Sequence, residues 1–216
     1  MRVEIVSDVV CPWCYIGKRR FEAGLVMLTA QGVIPDLSVS YRAFQLDPAA
    51  PIGAPTPVRD AYAKKFGGAD RADQILATVT RAAAAEGLEF HMDIALRANT
   101  LRAHRLLAFV GREQPSLQGE VNEAIMRAYF TEGRDIADPA TLVACASSTA
   151  IDDERLLSAI TGSNDEIARV VSGDLEWAAA RDITAVPTFV INDSFAVPGA
   201  QDAPTFARLM KKMTTS

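Results

Sequence analysis

Cys11 and Cys14 are separated by Pro12 and Trp13, directly after the apolar run Val3 to Val10 and at the head of a helical pattern. A thiol acts as a nucleophile only as thiolate. The first turn of a helix offers unpaired N–H groups and the positive end of the dipole to hold that charge. Cys11, at the start of the turn, gains most. Pro12 suits the first helical position, having no N–H to leave unpaired and a φ that is already helical. Cys14 falls on the same helix face, close enough to form a disulfide with Cys11 and resolve a mixed disulfide. The pair reads as a redox-active dithiol, with Trp13 shaping its reactive edge or packing beside it.

Other uses of this spacing fit less well. Structural zinc wants two further soft ligands, and the chain offers Cys145, His91 and His104, none paired at knuckle spacing; no metal is expected. Haem attachment wants His directly after the second cysteine, where Tyr15 stands. A purely structural disulfide across so short a loop would constrain the unfolded chain little. Cys145, within the apolar pattern Leu142 to Ala146, reads as a small buried hydrophobe rather than a third redox thiol.

The 216 residues are enough to bury a core without disulfide staples, and three cysteines is a low count. The chain starts at Met1-Arg2 and enters a strand at once, without the charged, apolar and cleavage regions of a secretion signal, so a cytoplasmic location is expected. No apolar stretch approaches the ~18 residues of a membrane span. A net charge of −5 gives no footprint for nucleic acid, and Lys18-Arg19-Arg20 and Lys211-Lys212 read as solvated helix faces.

The elements that position the dithiol follow from patterning. A strand from Val3 to Val10, a helix from Pro12 to about Ala30 and a strand from Leu37 to Phe44 make a βαβ unit with parallel strands. Asp47 to Pro57 carries four prolines in eleven residues, which continue neither a helix nor a central strand. From Val58 to about Thr161 no strand is expected, only helices: Ile75, Leu76, Val79 and Ala83; Leu101 to Val110; Val121, Ile125, Met126 and Tyr129; and Leu142, Val143 and Ala146. Asp138-Pro139, Asp152 before Glu154, and a capping box at Ser163 to Glu166 mark helix starts. A helix to about Arg181, a hairpin of Thr188–Ile191 and Phe195–Val197 around Asn192-Asp193-Ser194, and a helix from about Asp202 complete an order β-α-β, helices, α-β-β-α. The division predicted is 1–50 and 163–216 as two parts of one α/β domain, with 51–162 an all-helical insertion.

Pro187 stands just before the first hairpin strand, where it would cost a ladder bond. A cis Val186-Pro187 bond would give it a purpose, turning the backbone toward the dithiol and freeing the N–H and C=O of Val186 to pair with a substrate strand. The alternative is a trans proline opening an edge strand.

The segments Ser7-Asp8-Val9-Val10-Cys11-Pro12-Trp13-Cys14-Tyr15-Ile16-Gly17, Phe44 to Pro48, Asn99 to Leu106, Ala128-Tyr129-Phe130, Val186 to Val190 and Val197 to Gln201 together resemble the DsbA-type thioredoxin superfamily, and within it the cytoplasmic FrnE-like branch. The resemblance spans nearly the whole chain. It implies an α/β thioredoxin fold with an inserted all-helical domain capping the site, and thiol-disulfide oxidoreductase activity with Cys11 attacking, Cys14 resolving and Pro187 the cis proline. Ala185 departs from the glycine expected before Val-Pro in this branch.

Through the same resemblance His104 could face the dithiol as a proton carrier, with Asn99 beside it in the cleft, although a hydrogen-bonded packing role is the commoner one for such a histidine. Asp8 could buffer protons or hold the turn. Two other functions remain open at this level. Relatives resembling 2-hydroxychromene-2-carboxylate isomerase and kappa-class glutathione transferases use bound glutathione. In that reading Val186 pairs with the tripeptide and Gly199-Ala200-Gln201-Asp202, at a helix N-terminus, holds a carboxylate. Those relatives usually carry serine where Cys11 stands, so the intact pair favours redox work on thiol or disulfide substrates, with no cofactor beyond the cysteines themselves and glutathione as a potential co-substrate. The remaining reading is a non-catalytic, chaperone-like binding module. The motif leaves the direction of electron flow open.

Overall fold

The computed structural model describes residues 1–162 and 166–214. Strand β1 (Arg2–Ser7) is central, paired in parallel with β2 (Ser38–Ala43) across helix α1 (Pro12–Ala30). On its other side β1 pairs antiparallel with β5 (Thr188–Ile191), which turns into β6 (Phe195–Pro198), giving the order β2-β1-β5-β6. Asn192 and Asp193 make the hairpin turn with positive φ, a conformation these side chains tolerate better than most. Alternation along β1 sorts its residues between faces. Val3 and Ile5 join Phe21 and Leu28 of α1, Phe189 and Ile191 of β5, and Phe206 and Met210 of helix α9 (Ala203–Thr214). Val6 points the other way, toward Ala178 of α8 (Glu166–Ala179) and Val190. Glu4 shares that second face, where Arg42 bonds both Glu4 and Asp174 of α8 and lies over the Trp177 ring.

Between β2 and α8 the described chain is mainly helical: α2 (Val58–Phe66), α3 (Ala69–Ala85), α4 (Leu101–Glu113), α5 (Gln118–Phe130), α6 (Pro139–Cys145) and α7 (Asp153–Thr161). This is an α/β thioredoxin fold with a helical insertion. The Asp138 and Asp152 carboxylates accept from the N–H groups of Thr141 and Arg155, capping α6 and α7 as expected. The capping box at Ser163 lies outside the described residues. The strand-free expectation for 58–161 needs correction: β3 (Thr56–Pro57) pairs with β4 (Leu96–Arg97) in a two-residue ladder. Proline fits there because so short a ribbon has open edges on which a missing N–H costs nothing. The first strand also ends at Ser7 rather than Val10, since the backbone turns at Asp8, whose carbonyl accepts from the Cys11 N–H at 3.0 Å. Among the described residues no helix is long and apolar enough to cross a membrane.

The insertion's core is continuous with the dithiol: Val9, Cys11, Cys14, Tyr15 and Ile16 pack with Phe90, Leu106, Tyr129 and Phe130. Polar contacts reinforce this junction, because Glu123 of α5 accepts from Tyr15, Lys18 and Arg19 of α1. On the opposite side α1 and α9 approach closely at Gly24, where a Cβ would sit 2.8 Å from Cβ of Phe206 and 2.9 Å from the Ala203 carbonyl oxygen. Helix propensity favours alanine over glycine by about 1 kcal/mol, but overpacking a fixed backbone costs about 1–3 kcal/mol. Gly24→Ala should therefore destabilise the protein by about 1–2 kcal/mol in urea denaturation. A raised midpoint would show that α9 yields freely and that this contact does not fix α1.

Candidate active site

Cys11 occupies the N-cap of α1 with extended backbone (φ −85°, ψ 114°), a position where serine, threonine or aspartate would normally accept from the first-turn amides. No side chain caps this helix, and Pro12 stands at its start as expected. The sulfur therefore has the helix terminus to itself. The Cys14 and Tyr15 N–H groups donate to the Cys11 carbonyl at 3.0 and 3.4 Å, which closes the turn and fixes the two cysteines on one face.

Both sulfurs are buried and both are free thiols: Cys11 is 4 % exposed and Cys14 2 %. Burial pushes the Cys14 thiol well above its ordinary value, and the adjoining Cys11 adds to this as hydrogen-bond partner and as negative charge; Ser7 and the Asp8 backbone act in the opposite direction. Cys14 is thus held as a thiol beside Cys11. Cys145, in α6, is pushed up to about 11, chiefly by burial.

The strand register brings a second segment to this point. Val6 lies opposite Thr188, so the residues preceding β5 meet the end of β1, and the Val186 carbonyl faces Cys11 Sγ at 3.7 Å. The Val186–Pro187 peptide bond is cis. Gly17, one turn into α1, makes room for this loop: a Cβ there would lie 3.0 Å from Pro187 Cγ and 3.3 Å from the Ala200 Cβ. Sequence reasoning did not single out Gly17 as a site residue, though its place in the Cys14-Tyr15-Ile16-Gly17 run was a signal.

Asp8 is fully buried, with one carboxylate oxygen accepting from the Leu46 N–H at 2.8 Å and the other 3.2 Å from His104 Nε2. His104 thus turns inward from α4 toward the β1–α1 junction, and Asp8 both holds the turn and partners the imidazole. Asn99 has a different set of contacts. Its amide donates to the Pro48 and Ala50 carbonyls and accepts from the Leu101 N–H, stitching the proline-rich segment to the start of α4.

At Gly199 to Asp202, the Gly199 N–H donates to the Pro187 carbonyl, the Ala200 carbonyl accepts from Arg20, and Gln201 bonds the Gly199 and Pro198 carbonyls. The Asp202 carboxylate accepts from the Thr205 N–H at 2.7 Å, capping α9 with its own negative charge. A ligand carboxylate at that terminus would meet like charge.

A cleft of about 610 Å³ opens beside Val10, lined by Val58, Tyr62, Phe66, Arg97 and Tyr129 among others, within the size range of small-molecule and side-chain sites. Tyr62 of α2 lies near enough to the dithiol for the Cys11 charge to add to the burial that pushes its hydroxyl up to about 12. Trp13 is 40 % exposed and borders a neighbouring groove that it shares with Phe66 and the face of α3. Tyr62 and Phe66 escaped the sequence reading because α2 buries only Val58 fully and so carries no apolar stripe.

Residues 2–211 match the family model of the DSBA-like thioredoxin domain. The chain is 31 % identical to a probable DsbA oxidoreductase from Streptomyces coelicolor, whose crystal structure superposes with a TM-score of 0.86 over 98 % of this chain and 89 % of that one. It is 27 % identical to the uncharacterized protein YwbO of Bacillus subtilis, covering 96 % of this chain and 94 % of that protein. The cytosolic disulfide reductase DsbM from Pseudomonas aeruginosa, in its structure with GSH, shares the fold at 14 % identity, with a TM-score of 0.70 and full coverage of both chains.

The upward shift of the Cys14 and Cys145 thiols predicts a selective alkylation pattern. Near pH 8, iodoacetamide should modify Cys11 first, while Cys14 and Cys145 remain largely protonated; modification of Cys145 should accelerate only as pH climbs toward about 11, where its thiolate forms. Peptide mass mapping across pH reads this order. Equal rates at Cys11 and Cys145 at pH 8 would remove the asymmetry.

Proposed function

The chain belongs to the DSBA-like thioredoxin domain family, and from that premise we propose that it is a thiol-disulfide oxidoreductase whose working groups are Cys11 and Cys14. The observation that carries this reading is the placement of two adjacent free thiols, Cys11 at an uncapped helix terminus beside the Val186 carbonyl and Cys14 buried one turn behind it. In the reducing direction the Cys11 thiolate attacks one sulfur of a substrate disulfide; a Cys11–substrate bond forms and the other substrate sulfur leaves as thiolate. Cys14 then loses its proton and attacks Cys11 Sγ, forming the Cys11–Cys14 disulfide and releasing the second substrate thiolate. Two electrons pass from the dithiol to the substrate, and the same steps reversed oxidise a substrate dithiol.

Val186 and Pro187 border the attacking sulfur and would orient the partner strand; Trp13 and the cleft beside Val10 would receive its apolar flanks. The motif set favours the FrnE-like branch and a cytoplasmic setting, where substrates would be protein or small-molecule thiols and disulfides. Bound glutathione at Gly199–Asp202 is disfavoured by the Asp202 cap and by the backbone bonds already made there.

Single substitutions separate the roles. Cys11→Ser should abolish disulfide exchange, whereas Cys14→Ser should retain attack but accumulate a mixed disulfide on Cys11, visible as an intact-mass adduct removed by dithiothreitol. An adduct trapped through Cys14 in the Cys11→Ser protein would reverse the assignment.

A further inference from the structure

Val10 and Trp13 stand on either side of Cys11 in the chain, and each lines a different hollow. Val10 borders the cleft of about 610 Å³ beside α2, and Trp13 borders a groove of about 910 Å³ along α3. Phe66, at the end of α2, lines both and so forms the ridge between them. It is 37 % exposed, and its ring lies 5.3 Å from that of Tyr62. A substrate sulfur bonded to Cys11 therefore has a hollow on each side. Each is large enough to take a bulky side chain.

The two hollows differ chemically. Ile75 and Val79 of α3 give the Trp13 groove an apolar wall. The cleft beside Val10 has apolar walls from Val58, Ala61 and Ala98, and two tyrosines besides. Tyr129 is 2 % exposed; its hydroxyl has no hydrogen-bond partner among the described residues and is not sealed in, so it opens on the cleft that the ring lines. The Tyr62 hydroxyl likewise bonds to nothing among the described residues. Burial keeps both hydroxyls protonated at neutral pH, with Tyr62 pushed up to about 12, so both are available as donors. A site that offers hydrogen bonds from an otherwise apolar wall rejects an occupant without an acceptor, because the hydroxyls then lose water and gain nothing in return.

We propose that the substrate is a polypeptide segment lying across Phe66 with its cysteine at Cys11, one neighbouring side chain in the Trp13 groove and the other in the cleft beside Val10, where Tyr62 and Tyr129 select a large side chain that ends in a hydrogen-bonding group, such as tyrosine. This selection rests on the Cys11–Cys14 reading and gives the helical insertion a share in substrate choice. Glutathione meets it poorly, since glycine and γ-linked glutamate bring no apolar side chain to either hollow. Tyr62, Phe66 and Tyr129 act as specificity-determining residues, while the sulfur chemistry stays with the two cysteines.

Short peptides whose central cysteine is disulfide-linked to 5-thio-2-nitrobenzoate test the selection. The Cys11 thiolate bonds to the peptide sulfur, the activated disulfide breaks, and the coloured thiolate it releases is timed by stopped flow. Tyrosine, phenylalanine or glycine is placed next to the cysteine on either side, in an otherwise serine-glycine peptide. With the reduced wild type, phenylalanine should outpace glycine about tenfold on both sides, and tyrosine should outpace phenylalanine about fivefold on one side only. Tyr62→Phe combined with Tyr129→Phe should bring that tyrosine-to-phenylalanine ratio to about one, and Phe66→Ala should lower the phenylalanine-to-glycine ratio on both sides. Wild-type rates that ignore the flanks, equal rates for tyrosine and phenylalanine, or a tyrosine preference that survives in the double variant would each overturn the selection but leave the dithiol reading standing. Absence of release from every peptide and from 5,5′-dithiobis(2-nitrobenzoate) would instead sink that reading. Should the double variant fail to fold, Tyr62→Phe alone, at its half-buried position, decides by the same ratio: a fall is expected, and an unchanged preference overturns the selection.

Discussion

Pairing of Val6 with Thr188 brings the end of β1 and the start of β5 to one edge of the sheet, and the geometry of the dithiol depends on that register. A shift by one residue would turn Val3 and Ile5 out of the α1–α9 core and carry Val186 away from Cys11. The register is fixed by burial on both faces. Val3 and Ile5 enter one core and Val6 the other, with Glu4 tied to Arg42 between them. The site is thus held by strands and a helix terminus, which keeps the sulfurs at a defined separation.

Covering that edge with helices gives the two thiols different environments. α1 presents its open terminus to Cys11, while Cys14, one turn along, faces the core that Phe130, Tyr129 and Leu106 build with α1. The same insertion supplies Tyr62 near Cys11 and His104 near Asp8, so it shapes the electrostatics of the site as well as closing it. Low dielectric strengthens each of these interactions and raises the cost of any polar group left unpaired.

Much of this could be read from the chain. Cys11-Pro12-Trp13-Cys14 could be placed at a strand-to-helix turn because strand, proline and helix signals converge on four residues, and α1 runs over Pro12–Ala30 as expected. The hairpin and the caps at Asp138 and Asp152 were legible because turns and helix starts depend on local side-chain chemistry. Contacts joining distant segments were not. The Asp8–His104 pair spans 96 positions, and whether His104 faced inward depended on how α4 packs. Asn99 looked like a cleft residue from its motif but is committed to the backbone at Pro48, Ala50 and Leu101. Helix α2 and the ribbon at Thr56–Pro57 lack the periodicity that reveals amphipathic elements, since they lie mostly exposed.

The central claim, that Cys11 and Cys14 form one reversible two-electron couple, is tested most directly by equilibrating the protein across glutathione redox buffers, quenching with acid and reading intact mass and linked peptides. A single transition in which two thiols disappear together, a Cys11–Cys14 linked peptide appears and Cys145 stays free is the result this structure predicts. Independent glutathione adducts on separate cysteines, with no Cys11–Cys14 link at any potential, would contradict it.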